Sequence, residues 1–94
     1  MSGRFKAAGT LPLTSVGLFA VHGEIVVGVP RIGQTAIAET GFRARVHGVE
    51  FVRLADGRED VALTFLPRDS AEAERWYGLP LAGQELELVE RVYW

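Results

Sequence analysis

Apolar and polar positions alternate over short stretches of this chain, the period expected of strands that turn one face inward. Residues 16–22 form an apolar, strand-forming run, and residues 24–29 repeat it, with Gly23 between them. This predicts two paired strands joined by a tight hairpin, because glycine accepts the positive φ of a turn at little cost. Pro30 ends the second strand, since it has no N–H for a central ladder, and residues 35–38 predict a short third strand. The longest signal covers residues 42–54. There Ala44 and Val46 alternate with Arg45 and His47, and the phase then slips at Gly48 so that Val49 and Phe51 become inward positions. A bulge at Gly48 accounts for the slip. Ala55-Asp56-Gly57-Arg58 is a turn, after which Val61, Leu63 and Phe65 alternate with Ala62 and Thr64 as the returning strand of a second hairpin.

One helix is predicted, from Ser70 to Tyr77. Asp69 is placed to cap it, Glu72 completes a capping box three residues on, and Gly78 with Pro80 stops it. Glu85-Leu86-Glu87-Leu88 then alternates as a last strand, with leucine inward and glutamate outward. Apolar character continues through Val92-Tyr93-Trp94, so this strand is expected to close the sheet. Residues 1–15 lack a sustained period and are expected to form an N-terminal arm before a single domain at 16–94. Short strands with closely spaced turns predict an all-β fold, a small closed Greek-key-type β-barrel with one short helix, in which closure removes exposed edges. The inward phase nominates Phe19, Val21, Ile25, Val27, Val46, Val49, Phe51, Val61, Leu63, Phe65, Leu86 and Leu88 as the core.

Several of these segments also form an ordered set. The strand–glycine–strand run at 19–29 is followed by the turn Ile32-Gly33-Gln34, the segment Arg45-Val46-His47-Gly48-Val49-Glu50-Phe51, the strand Val61-Ala62-Leu63-Thr64-Phe65, and Leu81-Ala82-Gly83-Gln84-Glu85-Leu86. Over residues 16–89 this order resembles the second, β-barrel domain of elongation factor Tu and related translational GTPases. The turn at Gly23 is shorter than the family's, Gln34 stands where an acidic residue is usual, and the helix from Ser70 is longer than the usual connection. No GxxxxGK[ST] phosphate loop occurs, so GTP hydrolysis is excluded. What the resemblance implies is a binding role: in elongation factors this barrel contacts the aminoacyl end of tRNA, and in relatives the ribosome or neighbouring domains. No family contact residue carries over to a position here.

Composition narrows the partners. The 94 residues suit one domain, and a formal charge of −2 gives no general attraction to phosphate backbones, so RNA binding needs a local patch. Arg43, Arg45 and His47 on the outer face of the long strand, with Arg31 in a nearby turn, are that candidate patch. Trp76, Tyr77, Tyr93 and Trp94 are candidates either for covering the core or for an interface with a protein partner, including a second copy in a homodimer. No run is long and apolar enough to span a bilayer, and the chain has no cysteine; no membrane association and a cytoplasmic location are expected.

Catalytic chemistry finds little support. His22 and His47 sit in no ligand-spaced cluster, Glu50 alternates outward, and Asp56, Glu59 and Asp60 fit no calcium loop. Ser15, Thr64 and Ser70 have no GxSxG elbow. The expectation is a non-enzymatic binding module with no catalytic residues, metal or cofactor, contacting RNA, a ribosomal surface or a protein. The alternative is a small ligand-binding or enzymatic barrel whose site assembles only in three dimensions. A deep pocket with a carboxylate beside a histidine would favour the latter; a filled interior with a flat arginine or aromatic surface favours the former.

Overall fold

The computed structural model describes residues 3–53 and 55–90. Seven strands make up most of it: β1 (Gly3–Leu13), β2 (Leu18–Val27), β3 (Thr35–Ile37), β4 (Arg43–Arg45), β5 (Gly48–Arg53), β6 (Glu59–Phe65) and β7 (Glu85–Val89), with one helix, α1 (Ser70–Tyr77). They form a single sheet in the order β4-β3-β7-β1-β2-β6-β5, and every pairing is antiparallel. The sheet curls as a half-barrel around one core. β7 comes last in sequence yet lies inside the sheet, between β3 and β1.

The two ends of this order are consecutive in sequence. Only Val46 and His47 separate β4 from β5, and their backbones bond to both sides. The Val46 N–H donates to the Gln34 carbonyl at 2.8 Å and the Val46 carbonyl accepts from Gly33 N–H at 3.0 Å, while His47 N–H donates to the Thr64 carbonyl at 2.8 Å. The phase slip at Gly48 is therefore a change of partner, from β3 to β6, and the β5–β6 ladder runs from Gly48↔Thr64 to Arg53↔Glu59 without a bulge. Gly48 leaves room at the crossing: a Cβ there would lie 2.7 Å from the Thr64 hydroxyl, which would have to shift.

The turns that launch β3 and β7 share one design. Gly33 and Gly83 donate to the carbonyls of Val46 and Ala7; Gln34 and Gln84 donate to Arg31 and Leu81, and their own carbonyls accept from Val46 and Ala7. Each turn thus pins a strand start to a neighbouring chain by reciprocal bonds.

The hairpin predicted at Gly23 is not there. β2 runs straight through Gly23, and the chain reverses instead between β1 and β2, through a 3₁₀ turn at Thr14–Val16 and Gly17, whose φ is +69°. Gly23 serves close approach: a Cβ on it would overlap the Lys6 carbonyl oxygen and lie 3.0 Å from the Ala8 nitrogen. Opposite it the β1 register shifts between Ala7 and Gly9, so β1 bulges against the bare backbone of Gly23. The segment expected to be an arm is β1 itself, held between β7 and β2, with Phe5 and Ala7 in the core.

Phe19, Val21, Val46, Leu63, Phe65, Leu86 and Leu88 are buried as expected, and Val49 and Val61 pack against them half-covered. Ile25, Val27 and Phe51 are not core. β2 pairs with β6 only as far as Gly23↔Val61, so beyond that point β2 keeps β1 alone and β6 keeps β5 alone. Phe51 pairs with Val61 at this boundary and is 74% exposed. Its inward phase is irrelevant because the core ends there.

The helix matches its prediction end to end. The Asp69 carboxylate accepts from the Glu72 N–H at 2.9 Å. Glu72 reaches back one residue further than a standard capping box, accepting from the Arg68 N–H at 2.8 Å. Two turns are too short to persist alone. Trp76, the one buried residue of α1, anchors it with ring centroids 5.5 Å from Phe19, 5.3 Å from Phe42 and 6.3 Å from Phe65.

Candidate functional site

β4 and the crossing that follows it carry the predicted cationic patch. Arg43 and Arg45 are exposed two residues apart on β4, opposite Ile37 and Thr35, and His47 is exposed at the crossing. Arg31 does not stand free beside them, because its guanidinium pairs with Glu90. Its N–H donates to Gln34 Oε1 at 2.7 Å and Gln34 Nε2 donates to the same Glu90 at 3.1 Å, so the three side chains tie the turn before β3 to the end of β7. Arg31, through its side-chain hydrogen bond, holds the Glu90 carboxyl below its usual range, with the Gln34 amide adding to the effect.

Arg45 and His47 meet in an open concavity of about 430 Å³ lined by Ile32, Gly33, Arg45, Val46, His47 and Leu66. Val46 is buried at the crossing, whereas Ile32 is 71% and Leu66 57% exposed. Arg45 forms no ion pair among the described residues. This guanidinium thus lines a groove together with exposed His47 and the exposed aliphatic side chains of Ile32 and Leu66. The sequence put Arg45 and His47 on one long strand, whereas Arg45 lies on β4 and His47 in the crossing after it; Ile32 and Leu66, in a turn and just past a strand, had no local signal and join them only because the crossing links β3 to β6.

A second concavity, of about 440 Å³, lies where β1 bulges against Gly23, and Lys6, His22, Glu24, Arg58 and Asp60 line it. His22 pairs with Ala62 of β6, which puts Asp60, two residues along, on the same face; Asp60 Oδ2 lies 3.0 Å from His22 Nδ1. Only the register shows this pair, since the two residues are 38 apart in sequence. The other ring nitrogen is hemmed in by β1: a Cβ on Gly9 would lie 2.8 Å from Nε2. No serine, threonine or cysteine lines the concavity. The imidazole therefore braces β2 and β6 beside β1, and the residues lining the concavity offer it no hydroxyl or thiol to activate. A third concavity, around Arg4, is bordered by Glu39, Glu85 and Glu87. Among the described residues no three histidine, cysteine or acidic side chains gather as metal ligands, and no helix is long and apolar enough to cross a membrane.

The interface aromatics divide. Trp76 is 6% exposed and belongs to the core, so it is not presented to a partner. Tyr77 is 42% exposed, with its ring centroid 5.2 Å from that of Phe19. Tyr93 and Trp94 lie outside the described residues. Comparison with protein-family models, curated proteins and solved structures finds no match, and the likeness to the elongation-factor barrel rests on the order of its motifs alone.

Proposed function

We propose that this chain is a non-enzymatic binding module, a Greek-key-type barrel closed through Val46 and His47, whose Arg45 groove takes an acidic, apolar segment of a protein partner. The bonds from Val46 to Gln34 and Gly33, and from His47 to Thr64, support closure, because they carry backbone pairing from one end of the sheet to the other. The core is filled by Phe5, Phe19, Phe42, Phe65 and Trp76, which leaves the outer concavities for recognition. The cytoplasm is the setting in which such a cysteine-free module would meet its partner.

One observation carries the reading: Arg45, without an ion-pair partner among the described residues, shares a groove with exposed Ile32 and Leu66. Aliphatic walls favour an apolar side chain, and a guanidinium favours a carboxylate by charge-assisted bonding. Phosphate tracking would call for several uncommitted cations, yet Arg31 is paired with Glu90 and the whole chain carries −2.

Peptides selected from a displayed random library, then measured by fluorescence anisotropy beside a single-stranded RNA dodecamer of mixed sequence, test this. The expected result is enrichment of peptides that combine leucine or isoleucine with aspartate or glutamate, with binding lost in Arg45→Gln and in Leu66→Ser. Salt-sensitive RNA binding that Arg45→Gln abolishes, without peptide enrichment, would transfer the groove to nucleic acid.

A further inference from the structure

β5 ends the strand order, pairs with β6 alone, and makes no other backbone bond among the described residues. It therefore offers a row of unpaired N–H and C=O groups, and it carries Phe51, 74% exposed, beside half-buried Val49 and Val52. An edge of this kind templates another strand unless something blunts it. Neither proline nor lysine interrupts it; its charges are Glu50 and Arg53.

Those charges select among the ways in which two copies could meet. A two-fold axis perpendicular to the sheet relates antiparallel edges so that one residue faces its own counterpart. An axis at Glu50 would set two carboxylates opposite each other, and an axis at Arg53 two guanidinium groups; both are unfavourable. An axis at Phe51 places Glu50 opposite Val52 and diagonal to the other copy's Glu50. An axis at Val52 sets valine against valine and places each Arg53 opposite Phe51 of the other copy, a cation against an aromatic face. Arg53 already pairs with Glu59 on β6 at 3.2 Å, which steadies the guanidinium beside that ring and neutralises it against its symmetry mate.

We propose that β5 pairs with β5 of a second copy, antiparallel and about a two-fold axis at Val52, forming a homodimer with one sheet continuous across it. This surface begins where the Arg45 groove ends, and its existence does not depend on what the groove binds.

The chain has no cysteine, so a single introduced thiol reports the register. Val52→Cys should oxidise readily to a disulfide-linked dimer, faster than Phe51→Cys, and faster than Glu74→Cys on the exposed side of α1. Sedimentation of the unmodified protein, well above micromolar concentration, should show a dimer that Phe51→Lys returns to monomer with an unchanged circular dichroism spectrum. A strictly monomeric parent overturns the proposal. So does cross-linking that favours position 51, or that fails to discriminate position 52 from position 74.

Discussion

Gly23→Ala is the sharpest test of how β1 and β2 meet. In the structure a methyl group at this position falls far inside the 3.0 Å that real Cβ atoms keep, and what it meets is the Lys6 backbone carbonyl, which no rotamer can move aside. To admit it, the ladder must open by roughly 1 Å against a normal spacing of about 4.8 Å. Opening it weakens roughly two or three backbone hydrogen bonds, each worth about 0.5–1.5 kcal/mol. It also drags Ala7 and Val21, both buried beside the bulge, out of register with the core, adding about 1–3 kcal/mol of packing strain. A total loss of about 2–7 kcal/mol follows, a large share of the stability of a domain this size. Gly17→Ala is the control: its φ is +69° and nothing lies within 4 Å of the added methyl, so only the backbone penalty of about 1–2 kcal/mol applies. Urea unfolding of the parent and both variants gives the comparison directly. If Gly23→Ala unfolds no more easily than Gly17→Ala, Gly23 sits in a turn after all and the continuous β2 is wrong.

The two exposed-or-buried phenylalanines separate the core from the ribbon beyond it: Phe65→Ala should cost about 3–5 kcal/mol and Phe51→Ala less than about 1 kcal/mol in the same titration. Removing the helix cap with Asp69→Ala should cost about 1 kcal/mol, seen as loss of helical circular dichroism before the main transition. The Arg68 N–H bond, ahead of the Arg68 side chain, holds the Glu72 carboxyl below its ordinary value. Its contribution to stability is therefore fully present above the unfolded pKa of glutamate and is lost as pH falls through the lower folded value. Glu72→Gln should flatten the acid limb of a plot of stability against pH, and an unchanged limb would place the acid sensitivity elsewhere.

Local rules were legible wherever the chemistry is local. The helix was readable to the residue because Asp69, Glu72 and Gly78 act within one or two turns of chain. β7 follows from alternation; β3 and β6 follow from strand-forming runs, but Ala62 and Thr64, expected outward on β6, are buried like their neighbours. Gly23 misled because a glycine between two valine-rich runs has two uses, positive φ or a missing Cβ, and only the path of β1 decides between them. β1 itself was missed because its small and polar residues, Ala7, Ala8, Gly9 and Thr10, weaken the alternation; small side chains are what a tightly crossed central strand needs. Phe51 shows the limit of periodicity, which reports which face a side chain takes but not whether a neighbouring strand extends far enough to cover it. The pairing of His22 with Asp60 depends on register and has no local signal at all.

Val46 and His47 link these outcomes to function. Leaving β3 and joining β6 within two residues brings the Ile32 turn beside Leu66 and turns Arg45 and His47 toward the groove between them. The same change of partner releases β5 from β3, so among the described residues its second edge has no strand beside it. Any substitution that stiffens the crossing should therefore act on groove and edge together. His47→Pro removes the N–H that bonds Thr64 at the crossing, so it should impair both peptide binding and dimerisation, together with stability. Leu66→Ser touches only the groove wall and Phe51→Lys only the edge, so each should remove one property and spare the other. Loss of both properties in either of these surface variants would mean that groove and edge are one interface, and the two sites would have to be merged.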